Sequence, residues 1–243
     1  MPTGRLHDRV SGDLCSQSVR MGTLYLVRHG QASFGATDYD QLSALGQRQA
    51  QQLGSYWQAR GVRFDAIYTG SLQRHQQTLE GITHTLTGMP PAHIDTTWNE
   101  YDSQALLRCM PATQLPPVDT PEGYKAYFRL LCDALAQWMS GVISPEGMPS
   151  WQAFSDGIHH ALEDIRKHYH GGQVLVVSSG GPIGAAVSRL LGATPEAAIA
   201  LNMRLRNTSV TELSLSPKRV MLQTFNTLSH LDHPDTQDWI TFA

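Results

Sequence analysis

Four short stretches carry side chains suited to phosphoryl chemistry. The first is Arg28-His29-Gly30-Gln31, at the end of the apolar run TLYLVR, Thr23–Arg28. The second is Thr69-Gly70-Ser71-Leu72-Gln73-Arg74, the third Asn99-Glu100-Tyr101-Asp102, and the fourth Ser178-Ser179-Gly180-Gly181. Arginine grips a phosphate dianion through its planar, forked guanidinium. Amides at a glycine-rich helix start add donors and a favourable dipole. A histidine among such groups can attack phosphorus, and a nearby carboxyl group can protonate the leaving oxygen. Taken singly, each residue has an ordinary reading. Arg28 suits a surface ion pair, His29 a hydrogen-bonded turn, Arg74 an exposed helix face, and Glu100 a solvated loop. Only convergence on one place tells against those readings.

Convergence depends on the elements that carry the four stretches. Thr23–Arg28 reads as a buried strand. Leu42, Leu45, Ala50, Leu53 and Trp57 recur at near-helical spacing, with Ser43 as a cap and Gly61 as a stop. Phe64–Thr69 reads as a second strand, Leu72–Leu86 as a helix and Ala92–Trp98 as a third strand. An irregular segment with Pro111, Pro116, Pro117 and Pro121 leads to a helix carrying Tyr124, Tyr127, Phe128, Leu131, Leu135 and Trp138 on one face. That helix reads as an insertion over an edge or the top of a sheet. A further helix follows Ser150, with the core stripe Phe154, Ile158, Ala161, Leu162, Ile165 and Tyr169. Val174–Ser178 is the most β-like run, and a helix over Ile183–Leu191 follows it. Thr208–Leu215 and Val220–Phe225 read as a closing hairpin. Strands alternating with helices predict an α/β fold: a three-layer α/β/α sandwich with a largely parallel central sheet and a helical insertion. Ligands of such sheets sit at the carboxyl ends of the strands, where all four stretches fall.

Composition narrows the classes further. The 243 residues suit one domain over residues 21–243, preceded by a polar, non-periodic extension, residues 1–20, that reads as disordered. Met21 directly precedes the first strand. A net charge of −3 gives no reason to expect nucleic acid as a partner, and no apolar run reaches membrane-spanning length. Cys15, Cys109 and Cys132 are widely spaced and odd in number, which fits free thiols in a reducing, cytoplasmic setting. The eleven histidines contain no i, i+4 pair, so no metal is expected. SSGGPIG lacks the order G-x-G-x-x-G, and no phosphate-binding G-K-[ST] occurs, so no nucleotide cofactor is expected.

LYLVRHGQ, followed by LSALGQRQAQQLG, resembles the histidine phosphatase superfamily, with its phosphoglycerate mutase-like fold. The resemblance continues through YTGSLQRHQQT, WNEYD, VVSSGGPIG and LRNTSVTEL, from about Thr23 to Phe225. It implies that His29 is the phosphorylated nucleophile, that Arg28 and Arg74 clamp the phosphate, and that Glu100 donates the proton. It also places the Ser179 hydroxyl and the Gly180 amide against the phosphate, and requires no metal or other cofactor. The implied partner is a small phosphorylated molecule.

Two positions depart from the family pattern. Ser179 stands where the family usually has a second histidine. A charged donor contributes about 1.5–3 kcal/mol and a neutral one about 0.5–1.5. The deficit of about 1–2 kcal/mol corresponds to a rate loss of roughly 5- to 30-fold. On this reading a Ser179→His replacement should raise turnover. His75 is the nearest candidate for a substitute cation, but adjacent helical residues point about 100° apart, so Arg74 and His75 are not expected to share the site. Gln31 stands where many members have glutamate, and with Ser33 it opens the loop Ala32–Gln41 that would meet substrate. Asp38 and Asp40 in that loop argue against a highly anionic substrate. The favoured expectation is a phosphomonoester hydrolase. A phosphoglycerate mutase and a weakly active phosphate-binding module are the alternatives. No extra basic cluster near the mouth is evident to favour the mutase.

Overall fold

The computed structural model describes residues 21–33, 40–111, 116 and 120–242. The extension 1–20, read above as disordered, lies outside the described residues. β1 (Gly22–Arg28) leads through α1 (Ala44–Ala59) to β2 (Ala66–Thr69), and α2 (Gln73–Thr85) leads on to β3 (Ala92–Ile94). Then come α3 (Ser103–Arg108), α4 (Pro121–Met139) and α5 (Trp151–Tyr169), before β4 (Gln173–Ser178) runs into α6 (Gly180–Leu191). α7 (Pro195–Arg204) and the hairpin of β5 (Val210–Leu215) and β6 (Val220–Thr227) follow. The strands form one sheet in the order β3-β2-β4-β1-β5-β6. β3, β2, β4 and β1 run parallel, and β5 and β6 join antiparallel at the β1 side.

The side-chain alternation of the central strands builds the three layers. In β4, Val174 and Val176 pack on Ile158, Leu162 and Ile165 of α5 and Ile183 of α6. Leu175 and Val177 face the other way, toward Leu53 and Trp57 of α1 and Ile82 of α2. A strand buried on both faces needs apolar residues at every position, which is why β4 reads as an unbroken VLVV. The insertion has its own core, in which Leu106 and Leu107 of α3 meet Tyr127, Leu131, Leu135 and Trp138 of α4.

Some boundaries differ from the sequence reading, for local reasons. The third strand was expected to run to Trp98. It ends at Ile94 because the Asp95 side chain accepts from the Thr97 amide and turns Thr96–Trp98 into a 3₁₀ helix. The helix after β4 starts at Gly180 rather than Ile183, so the two glycines belong to its first turn. The hairpin was expected from Thr208, but Thr208 has φ +54°, a left-handed conformation that cannot continue a strand, and β5 starts at Val210. α3 and α7 were not foreseen. α3 is capped by Asp102 at the amides of Gln104 and Ala105, and α7 by Thr194 at the Ala197 amide.

Two glycine contacts bring α1 against the end of β1. A Cβ on Gly30 would stand 2.5 Å from the Gly46 carbonyl oxygen, and one on Gly46 would stand 2.2 Å from that of Gln31. Both obstacles are backbone, so neither can swing aside. Gly46→Ala is therefore expected to lower stability by about 1–3 kcal/mol, seen as a lower urea midpoint at unchanged slope. An unchanged midpoint would contradict so close a contact.

Candidate active site

β1 delivers Arg28 and His29 to the carboxyl edge of the sheet, beside β4. The His29 amide donates to the Ser178 carbonyl at 2.9 Å. The His29 carbonyl accepts from the Thr208 amide and from Asn207 Nδ2, each at 3.2 Å. The backbone of His29 is thus held from both sides. The Gly30 amide donates to Thr78 Oγ1 at 3.0 Å, and that hydroxyl donates to the Arg74 carbonyl at 2.7 Å. The helix that carries Arg74 is tied in this way to the loop that carries His29.

The ring of His29 is buried, and its Nδ1 lies 2.7 Å from the Gly30 carbonyl oxygen. A carbonyl can only accept, so Nδ1 carries the proton. Burial pushes the imidazole well below its ordinary pKa of 6.5, and the charges of Arg74 and Arg28, with His75, push the same way. The ring is therefore neutral, and the lone pair falls on Nε2.

Arg74, expected to clamp phosphate rather than to lie on an exposed helix face, is buried and pairs with Asp40 at 2.6 Å. Asp40 also accepts from the Gln73 amide at 2.8 Å, so one carboxylate caps α2 and fixes Arg74. Asp38 lies outside the described residues. Arg28 is buried too, and its Nη1 donates to the Leu205 carbonyl.

Glu100 follows the 3₁₀ turn and meets α6. The Gly181 amide donates to its Oε1 at 3.0 Å and its Oε2 at 3.2 Å. A Cβ at Gly181 would lie 2.1 Å from Oε1, so this helix start admits the carboxyl group only because it is glycine. Burial raises the pKa of Glu100 above 4.5, against the pull of Arg74, the Gly181 amide and Arg28. Ser178 donates to the Trp98 carbonyl at 2.7 Å and braces the segment that leads to Glu100. Gly180 opens α6 with its Cα facing Asn202, whose Nδ2 donates to the Tyr101 hydroxyl at 2.9 Å.

His75 is the main correction to the sequence reading. It is fully buried, its Nε2 lies 2.6 Å from Ser179 Oγ, and its ring centroid lies 5.8 Å from that of His29. The angular divergence of neighbours on a helix still holds. However, α2 begins at Gln73 and meets the sheet edge with its first turn, so Arg74 and His75, on different azimuths, both come near the His29 ring. Gln31, by contrast, accepts from Ser43 Oγ at 2.7 Å and braces the start of α1. The Ser33 amide donates to the Gln41 carbonyl at 2.8 Å.

Arg28, His29, Arg74 and Glu100 open into a cavity of about 1140 Å³. Its far wall includes Tyr124, Tyr127, Phe128 and Leu131 of α4, with Met203 and Phe242. Lys125 and Arg129 of α4 also line it, a basic pair that the sequence reading did not place at the mouth.

Comparison with known proteins gives a consistent picture. The family model described as "Histidine phosphatase superfamily (branch 1)" matches residues 24–228. A relative called probable phosphoglycerate mutase GpmB, from Salmonella choleraesuis, is 29% identical over 87% of this chain and 95% of its own. Phosphoserine phosphatase from Entamoeba histolytica, solved with 3-phosphoglyceric acid, superposes with a TM-score of 0.61 at 22% identity, over 86% of this chain and 99% of its own. A putative alpha-ribazole-5'-P phosphatase from Escherichia coli gives 0.59 at 22%, over 85% and 96%. With the family model covering most of its length, the chain belongs to branch 1 of the histidine phosphatase superfamily.

Proposed function

We propose that the protein is a phosphomonoesterase that works through a phosphorylated His29. The observation that carries this reading is the neutral His29 ring, protonated on Nδ1 by its bond to the Gly30 carbonyl, with Nε2 left as nucleophile. Nε2 attacks phosphorus in line and forms the P–N bond as the P–O bond to the leaving group breaks. Glu100 gives its proton to the departing oxygen. Arg28, Arg74 and the amides at the start of α6 balance the phosphoryl charge, so the step needs no metal ion. Water then attacks phosphorus, Glu100 takes its proton, and the P–N bond breaks to release inorganic phosphate and restore His29.

The cavity supports a substrate whose leaving group is larger and more apolar than a three-carbon acid, since aromatic side chains of α4 form much of its wall. Room for water beside a small ligand also favours hydrolysis over return of the phosphoryl group. The mutase reading is favoured instead by Lys125 and Arg129, which could hold an acidic substrate. The two separate on product analysis. The protein is expected to release phosphate from 4-nitrophenyl phosphate and from 3-phosphoglycerate, with 4-nitrophenyl phosphate the better substrate. His29→Ala should lower both rates by about a thousandfold or more. Isomerised 3-phosphoglycerate without free phosphate would favour the mutase, and equal rates in both proteins would remove His29 from the mechanism.

The pH dependence follows from the two shifts. His29 must be unprotonated, and its lowered pKa keeps it so well into the acid range. Glu100 must be protonated, and its raised pKa extends that form above the ordinary carboxyl range. The rate should therefore peak on the acid side of neutral and decline as pH rises through the pKa of Glu100. In Glu100→Gln the alkaline decline should vanish and the rate should fall by about 10²- to 10⁴-fold for alkyl phosphates. Retention of the same decline would assign it to another group.

A further inference from the structure

The family's second histidine is missing at position 179, yet the place beside His29 holds an imidazole. His75 reaches it from α2, on the opposite side of the site from α6. Its ring is accommodated by Gly70, where a Cβ would lie 2.2 Å from His75 Nδ1. That nitrogen is buried without a hydrogen-bond partner among the described residues. A neutral imidazole has one N–H, and a buried N–H left without an acceptor is rarer than an unused lone pair. The proton therefore belongs on Nε2, which donates to Ser179 Oγ. Ser179 is the residue before α6, but its side chain makes no cap bond to that helix, unlike most serines in that position. Its oxygen is committed to His75, and its own hydrogen is left to point elsewhere. The nearest catalytic group by register is His29, whose amide bonds the carbonyl of the preceding Ser178.

We propose that His75 and Ser179 together stand in for the second histidine. His75 brings the imidazole from α2, and Ser179 receives its Nε2–H and turns its hydroxyl hydrogen toward the phosphoryl group on its way to His29. The inference rests on the phosphohistidine reading of the site. His75 acts through Ser179, as a positioning residue. The serine alone would be the weak neutral donor that the sequence suggests. Bonded to an imidazole that burial and Arg74 keep neutral, it is oriented, with its hydroxyl hydrogen free to meet a phosphoryl oxygen. The departure at position 179 is then offset from position 75, an exchange of one placement of the imidazole for another.

The exchange can be reversed. His75→Ala and Ser179→Ala should each lower kcat on 4-nitrophenyl phosphate by roughly 5- to 30-fold. Ser179→His alone should also be impaired, because its ring meets a place that His75 already fills. This reverses the gain expected from the sequence. The double variant His75→Ala with Ser179→His restores one imidazole from the α6 side. It should recover to within about threefold of the wild type, a strong non-additivity that a purely structural role would not produce. Unchanged kcat in both alanine variants, or a double variant no better than its parents, would overturn the proposal. Affinity for inorganic phosphate, measured by calorimetry on the same proteins, should fall and recover in the same order. That second readout separates the two ideas. If turnover proved independent of His29, the phosphatase reading would fall, and phosphate affinity would still decide whether His75 and Ser179 act as one unit.

Discussion

The bond from His29 Nδ1–H to the Gly30 carbonyl sets the terms for the rest of the site. In the proposed reaction it leaves Nε2 as the nucleophile only while the ring is neutral, and burial and positive neighbours keep it so. It also requires the backbone at Gly30 to stay in place. Gly30 is fixed by Thr78 on one side and pressed by Gly46 on the other, so α1 and α2 both serve a single carbonyl. The carbonyl of His29 itself is held by Asn207 and Thr208. Thr208 adopts a left-handed conformation that costs a β-branched residue on the order of 1–3 kcal/mol. Its hydroxyl donates to the Asn207 carbonyl and accepts from His230, whose burial lowers its pKa to about 3 and keeps it neutral. Local strain is thus held in place by a chain of bonds that ends on His29.

Charge balance is the second requirement. Among the described residues, two buried arginines beside a neutral histidine give an excess of positive charge, which suits the phosphate dianion of the proposed reaction. Asp40 offsets part of that excess and holds Arg74 in position. Burial favours the protonated form of Glu100, while the bonds from the Gly181 amide favour its ionised form. A carboxyl group drawn both ways suits the proposed role of donating a proton in one step and accepting one in the next.

The strands and the motif residues were legible because they obey local rules. VLVV records a strand buried on both faces, and Arg28, His29, Arg74 and Glu100 follow strand ends or open a helix. Ser43 and Gly61 marked the limits of α1 correctly, with Ser43 capping the Gly46 amide. Thr194-Pro195-Glu196 is an equally clear helix start, so α7 was readable and was missed. Other features could not be read locally. Pairing of Arg74 with Asp40 spans 34 residues, and contact of His75 with Ser179 spans 104. Both depend on α2 meeting the sheet edge with its first turn, and residue spacing along one helix does not report that orientation. The glycine at 70 was the only local sign of the second contact, and its meaning appears only once the ring beside it is seen.

Quenching the enzyme in alkali during steady turnover of 4-nitrophenyl phosphate, then locating the phosphoryl group by mass spectrometry and phosphorus NMR, tests the central claim most directly. The expected result is one acid-labile phosphoryl group on His29, bonded to Nε2 because Nδ1 is occupied by the Gly30 carbonyl. Phosphate on Nδ1, on another residue, or on no residue while turnover proceeds would contradict it.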